Sequence, residues 1–425
     1  MSNRPNILWL IADDAGWEDL GCLGHPTLRT PHIDNLAERG LLFTQAFVTS
    51  PQCSPSRSSL WTGKYAHTMR TEDLHTPMPD DEPILADRLR EQGYFVGNIG
   101  KLHLGPKARG RFDYYSPWAT AWPRFFKQRP ADRPFFLCVG YYEPHRPYAL
   151  KLTRASYPPE AVKLPPYLPD SKAIRTDFSR YYTAITAMDA KIGALLAYLR
   201  QHDLERSTLV VFVSDNGLPF PRAKGFLYDP GIRVPLIVSQ PGTYAAGTRD
   251  QLTTLLDLAP TMAELADTRI AEDTRGMSLA NVLNDAGAAG REAIFAERNW
   301  HDLDDHSRAI RTTRHKYIRN EYFEDPMPFP SDINRSPTLK WIRGALSQGL
   351  LPPEDRLPIT GPRPPEELYD LEADPNEFRN LAACDDHAAV LVDMRGRLAQ
   401  WSRETDDVSP EARVPRKRSP LSWLA

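Results

Sequence analysis

Unbroken apolar runs alternate with helical apolar stripes through the first 300 residues. Ile7-Leu8-Trp9-Leu10-Ile11-Ala12 contains no polar position, as a strand buried on both faces requires. Residues 94–99, 135–140, 208–213, 234–238 and 293–296 read as further strands, and the β-branched run at 208–213 is the strongest of them. Thr30-Pro31 marks a helix start, with Thr as N-cap and Pro at the first helical position. Ile33, Leu36 and Ala37 give that helix its buried side, and Gly40 ends it. Pro83 and Gly93 bracket a second helix over 83–92. Tyr181, Ile185, Met188, Ile192, Leu195 and Leu199 recur at helical spacing in a long helix over 177–201. This order predicts an α/β domain with a large, mostly parallel sheet sandwiched by helices.

The pattern changes near residue 300. Residues 309–311 and 317–319 flank Thr312-Thr313-Arg314-His315-Lys316 as a hairpin, and a final helix is expected near 386–402. The expected division is a large α/β domain over 1–300 and a smaller α+β unit over 301–425, with a small antiparallel sheet and that last helix. The chain has forty prolines, and their clusters at 106–170 and 326–365 predict long ordered loops. The basic tail at 413–418 reads as a solvated terminus.

Composition narrows the classes. Lys+Arg 52 against Asp+Glu 55 leaves a net charge of −3, without the basic excess of a dedicated nucleic-acid binder. The longest apolar run, 135–142, is far below the roughly 18 residues of a membrane span, so no membrane partner is expected. The amino terminus shows no signal-peptide-like apolar region, and a cytoplasmic location is the expectation. Cys22, Cys53, Cys138 and Cys384 lack CxxC spacing and read as reduced thiols.

In an open parallel sheet, chemistry gathers at the C-terminal ends of strands. Asp13-Asp14 follow the first strand, and Asp215-Asn216 follow the run at 208–213. Three carboxylates and one amide oxygen suit Ca²⁺ or Mg²⁺ rather than zinc, although the same residues also serve as ordinary loop caps. Cys53-Ser54-Pro55-Ser56-Arg57 places Cys53 just ahead of a helix N-terminus, where an anion is favoured, with Arg57 one turn on. Spacing alone leaves Cys53 readable as a nucleophile or as a core thiol.

Cys53-Ser54-Pro55-Ser56-Arg57 with Thr62-Gly63 resembles the C-x-P-x-R signature of the type I sulfatases of the alkaline phosphatase superfamily. The strand followed by Asp13-Asp14, Gly100-Lys101-Leu102-His103 and Ser214-Asp215-Asn216-Gly217 resemble the family's other motifs in order and spacing. Within that family the chain looks most like the N-sulfoglucosamine sulfohydrolases, or sulfamidases. That likeness is carried by Leu218-Pro219-Phe220-Pro221, Met327-Pro328-Phe329-Pro330, Glu367-Leu368-Tyr369-Asp370 with Asp374-Pro375, and Trp401 to Thr405. The missing signal-peptide pattern differs from the animal members and implies a bacterial relative.

The resemblance implies the following roles. Cys53 is oxidised to formylglycine by a maturation enzyme, and one hydroxyl of its hydrate attacks sulfur. Asp13, Asp14, Asp215 and Asn216, with matured Cys53, hold one divalent cation, Ca²⁺ or alternatively Mg²⁺. Arg57 and Lys101 stabilise the nucleophile. His103 is the base that breaks the sulfated intermediate. His145 binds sulfate and protonates the leaving group, while Lys224 and Lys101 bind sulfate oxygens. The implied substrate is a sulfated sugar, most closely the N-sulfate of glucosamine, and a homodimer is implied as the assembly.

Other readings stay open: a carbohydrate O-sulfatase or arylsulfatase, a phosphonate monoester hydrolase, or a sugar-binding relative that never matures Cys53. A two-zinc phosphatase fits poorly, because Asn216 stands where such sites place His.

Overall fold

The computed structural model describes residues 4–148, 157–326, 329–351 and 362–408. Met327-Pro328, the tail at 413–418 and parts of both proline-rich stretches lie outside these residues. Eight strands form the main sheet in the order Tyr114–Ser116, Phe95–Gly100, Phe135–Gly140, Asn6–Ala12, Thr208–Ser214, Leu236–Ser239, Leu41–Phe43 and Gly247–Arg249. Only Leu236–Ser239 runs against its neighbours; the other pairings are parallel.

Ile7 to Ala12 are all fully buried. Successive strand residues point to opposite faces, so complete burial means that both faces of the sheet are covered. Lys172–Gln201 packs against Pro31–Glu38 and Pro337–Ser347, while Cys53–Thr62 and Leu85–Glu91 pack on Leu258–Leu265. Trp9 meets Trp61 of the Cys53–Thr62 helix with ring centroids 5.3 Å apart. Burying each such large apolar side chain stabilises the fold by roughly 1.5–3 kcal/mol.

The expected hairpin is present as Ser307–Arg311 and His315–Asn320. It lies inside a second, antiparallel sheet ordered Ile294–Arg298, Ser307–Arg311, His315–Asn320 and Glu366–Asp370. The strand expected at 293–296 among those of the main sheet is therefore an edge of the second one. Its connection to Ser307–Arg311 is too short for a parallel crossover, which leaves antiparallel pairing. The last helix, Ala388–Glu404, covers this sheet, and Trp401 stacks on Phe295 at 5.2 Å.

One cap differs from expectation. Thr30 precedes Pro31–Glu38, but its hydroxyl donates to Asp34 Oδ1 at 2.8 Å and accepts from the Gly21 amide at 2.9 Å, so it caps no helical amide. Ser171 does cap the long helix, accepting from Ile174 N at 3.3 Å, and that helix begins earlier than its apolar stripe, at Lys172.

Candidate active site

Four adjacent parallel strands end at one level. Ile11 pairs with Gly140, Gly140 with Gly100, and Ala12 with Ser214. The residues just beyond these ends are Asp13-Asp14, Lys101 to His103, Glu143 to His145, and Asp215-Asn216. Strand order thus gathers four distant segments at one sheet edge.

Asp14 adopts a left-handed backbone, φ 73°. Its amide donates to Asp215 Oδ1 at 3.1 Å, and Asn216 Nδ2 donates to Asp14 Oδ1 at 2.8 Å. Ligand atoms of Asp13, Asp14, Cys53 and His145 lie within 4.8 Å of one another and could hold a metal ion. Asn216 Oδ1 is buried beside them with no hydrogen-bond donor among the described residues. An orphaned buried acceptor is costly, and a cation would satisfy it. An oxygen-rich donor set with this unpaired carbonyl fits a hard divalent ion.

Cys53 is the first residue of the Cys53–Thr62 helix rather than the residue ahead of it, because Gln52 takes the extended cap position. The whole helix is buried. Cys53 Sγ lies 3.5 Å from Asp13 Oδ1 and 3.9 Å from Asp14 Oδ1. Burial pushes the thiol well above its ordinary range, although Lys101 and Lys224 pull the other way. A thiol held protonated is a poor nucleophile.

The cationic groups surround this centre. Arg57 is fully buried; its Nε donates to Asp215 Oδ2 at 2.8 Å and its Nη1 to the Lys101 carbonyl at 2.9 Å. Lys101 Nζ donates to both oxygens of Asp13, at 2.8 and 2.6 Å. Burial alone would raise the Asp13 carboxyl, but Lys101, His145, Arg57 and Lys224 together hold it well below the usual range. Lys224 Nζ bridges Asp14 Oδ2 at 2.8 Å and Asp332 Oδ2 at 3.0 Å. His145 Nε2 lies 3.8 Å from Asp14 Oδ2 and 3.7 Å from Asp332 Oδ2. The next residue, Arg146, is pinned by Asp177 at 2.7 and 2.8 Å and by the Pro219 carbonyl at 3.0 Å. Pro219 and Phe220 of the Leu218-Pro219-Phe220-Pro221 segment therefore support the His145 loop, with Phe220 lying under the Arg146 guanidinium.

All the residues singled out in the sequence as site candidates meet here. Sequence reasoning missed His75, His301, Asp302 and Asp332, which line the same cleft of about 700 Å³. His75 Nδ1 and His103 Nε2 are 2.7 Å apart. Burial, reinforced by the charges of His301 and Lys101, drops His75 to about 4, and burial with Lys101 and His75 holds His103 well below its ordinary value. Both imidazoles are thus neutral near pH 7, so one donates to the other. His301-Asp302 follow closely on the Ile294–Arg298 strand, the same strand-end placement that exposed Asp13-Asp14, and that signal could have found them. Asp332 had no such marker.

A family model described as Sulfatase matches residues 5–122 and 113–268, and one described as N-sulphoglucosamine sulphohydrolase, C-terminal, matches 222–331. The N-sulphoglucosamine sulphohydrolase of Homo sapiens is 31% identical over 98% of this chain and 94% of its own length. An ulvan-active sulfatase of Formosa agariphila is 30% identical over 94% of this chain and 75% of its own. Among solved structures, one holding its substrate D-glucosamine-2-N,6-O-disulfate aligns with a TM-score of 0.76 at 20% identity, covering 97% of this chain and all (100%) of that one. The phosphonate monoester hydrolase of Agrobacterium radiobacter aligns at 0.72 and 19% identity, covering 98% of this chain and 100% of its own.

Proposed function

The chain belongs to the sulfatase family, and from that premise we propose that it hydrolyses sulfated sugars, with the N-sulfate of glucosamine as the preferred group. The observation that carries the reading is the convergence of Asp13, Asp14, Asp215 and Asn216 beside buried Cys53, ringed by Arg57, Lys101, His145 and Lys224. The preference for N-sulfate is supported by the full-length likeness to the human sulphohydrolase and by the C-terminal family match.

Asp13, Asp14, Asp215, Asn216 and matured Cys53 would hold the cation, Ca²⁺ or alternatively Mg²⁺. When bound, that ion supplies charge stabilisation for the anionic oxygens brought beside it. Cys53, matured to formylglycine by a separate enzyme and hydrated, provides two hydroxyls. One, ionised by loss of its proton to water with Lys101 and Arg57 lowering the cost of the anion, attacks sulfur as the S–N bond breaks, and His145 Nε2 gives a proton to the departing nitrogen. Lys101 and Lys224 hold sulfate oxygens, and Arg57 keeps the anionic centre compensated from below. His103 then takes the proton of the second hydroxyl, whose oxygen becomes the aldehyde carbonyl as sulfate leaves. The covalent step thereby contains its own release.

The ulvan-active relative favours a second reading, a carbohydrate O-sulfatase. A glucosamine nitrogen is a poor leaving group that must be protonated, whereas a nitrophenolate leaves unaided. General acids contribute about 10²–10⁴-fold where the leaving group is basic. Matured enzyme is expected to cleave N-sulfoglucosamine faster than O-sulfated hexosamines. His145→Ala should lose far more activity on N-sulfoglucosamine than on nitrophenyl sulfate. Activity on O-sulfated sugars with none on N-sulfoglucosamine moves the protein to the second reading.

A further inference from the structure

A carboxylate is an unexpected lining for a cleft that receives an anion, yet Asp332 stands in it. Its Oδ1 accepts from the Ile333 amide at 2.9 Å, and its Oδ2 accepts from Lys224 Nζ at 3.0 Å. Each carboxylate oxygen has two lone-pair sites, so Oδ2 retains one. The side chain is 16% exposed, and that exposure is to the cleft it lines. Oδ2 also lies 3.7 Å from His145 Nε2, the nitrogen assigned above to protonate the leaving atom. The atom that bridges sulfur to the sugar has to come within reach of that nitrogen, and so it comes close to Asp332 as well.

The two possible bridging atoms differ in hydrogen-bonding character. A sulfamate nitrogen carries one hydrogen and can donate it. A sulfate-ester oxygen carries none and offers only lone pairs. An ionised carboxylate accepts and cannot donate. Burial pushes the Asp332 carboxyl up, but the charges of Lys224, His145 and His301 outweigh it and keep the group ionised. It is therefore complementary to an N–H and repelled by an ester oxygen, and a site built around a donor discriminates strongly against the analogue that lacks it.

We propose that Asp332 is the specificity-determining residue that selects N-sulfate over O-sulfate, by accepting a hydrogen bond from the bridging N–H through its Oδ2 beside His145 Nε2. The proposal rests on the N-sulfate reading given above and names the group that enforces it. It also explains why Lys224 is held between two carboxylates, Asp14 and Asp332: the lysine lowers the cost of keeping an acidic group beside an incoming anion.

The test compares Asp332→Asn with the wild type on two matched pairs. One pair is N-sulfoglucosamine and glucosamine 6-O-sulfate. The other is N-sulfo-4-nitroaniline and 4-nitrophenyl sulfate, which carry no sugar hydroxyls. The side-chain amide can donate to an ester oxygen, so the N-over-O ratio of kcat/KM is expected to fall about 10–100-fold on both pairs, the scale of a hydrogen bond to a charged group. An unchanged ratio, with both members losing equally, would mean that Asp332 only holds Lys224, and it overturns the proposal. A ratio that changes on the sugar pair alone would mean that Asp332 reads a sugar hydroxyl, and it does the same. Either of those results, with the wild type active on N-sulfo substrates, leaves the N-sulfate reading standing. A wild type inert to both N-sulfo compounds removes the reading and the inference together. Thermal unfolding checks that the variant is folded; should it not be, Asp332→Ser, which leaves Lys224 its Asp14 partner, carries the same comparison.

Discussion

At the scale of single residues, the site is a set of charges that neutralise one another. Asp13 faces Lys101, Asp215 faces Arg57, and Asp14 faces Lys224. Three buried pairs of this kind would be expensive for stability alone, since desolvation offsets most of their attraction. Their presence at one strand edge points to catalysis. The imidazole pair carries a prediction. His103 is the assigned base for releasing sulfate, and His75 is its partner at 2.7 Å, so the tautomers and orientations of the two rings are coupled. His75→Ala should slow release about 10-fold, by analogy with the loss of partners that orient a functional histidine. Mass spectrometry of the peptide around residue 53 during turnover should then show a larger sulfated fraction than in the wild type. An unchanged fraction with a slower overall rate would place His75 in substrate binding instead. The chemistry-bearing types at this scale were legible, because Cys53, Arg57 and the acidic pairs sit in short motifs. His75 and Asp332 were not, because neither stands in a short motif and the groups each meets, His103 and Lys224, come from other segments.

At the scale of elements, two strand ends touch backbone to backbone. The Lys101 amide donates to the Gly140 carbonyl at 2.8 Å. A Cβ on Gly140 would stand 2.0 Å from the Lys101 carbonyl oxygen, and one on Gly100, whose φ is 77°, would stand 2.0 Å from the Gly140 carbonyl oxygen. Both glycines are there so that Phe95–Gly100 and Phe135–Gly140 can deliver Lys101 and His145 to one place. Gly140→Ala must push the Lys101 loop away from Asp13. We expect a stability loss of about 1–3 kcal/mol from the overpacked backbone and a fall in kcat/KM of about 10²-fold from misplacement by roughly an ångström. Melting temperature and steady-state kinetics on the same preparation check both; full activity would show that the lysine loop does not need this contact. The elements themselves were readable from apolar periodicity. The side-chain cap of the Pro31–Glu38 helix was misread, because Thr30 is engaged by Asp34 and Gly21, contacts invisible in a propensity argument.

At the scale of the molecule, the second sheet is tied to the main body by a buried ion pair. His67 Nδ1 lies 3.0 Å from Glu297 Oε2, and the His67 amide donates to Glu297 Oε1 at 3.2 Å. Burial would lower the His67 value, but the Glu297 charge and hydrogen bond outweigh it and raise it; the same pairing holds Glu297 below its ordinary range despite burial. His67 therefore keeps its proton in the folded state to higher pH than in the unfolded chain, where it titrates near 6.5. The stabilisation is fully present below about 6.5 and fades as pH rises through the folded value. His67→Gln should cost about 2 kcal/mol on the acid side of that window, the scale of a hydrogen bond to a charged group, and progressively less above it. Denaturation midpoints measured at several pH values check the sign; a cost that grows with pH would contradict it. The α/β class, most of the strands and helices, and the acidic pairs with Cys53 and Arg57 were legible in the sequence alone, because periodicity and short motifs are local properties of the chain; Lys101, His103, His145 and Lys224 stood out only through the family resemblance. Only the tertiary structure decided that Phe95–Gly100, Phe135–Gly140, Asn6–Ala12 and Thr208–Ser214 lie side by side, that Ile294–Arg298 joins the second sheet, and that His75 and Asp332 stand within hydrogen-bonding reach of His103 and Lys224. Strand order is set by which long-range pairings bury the most apolar surface at once, and no local window of the sequence contains that choice.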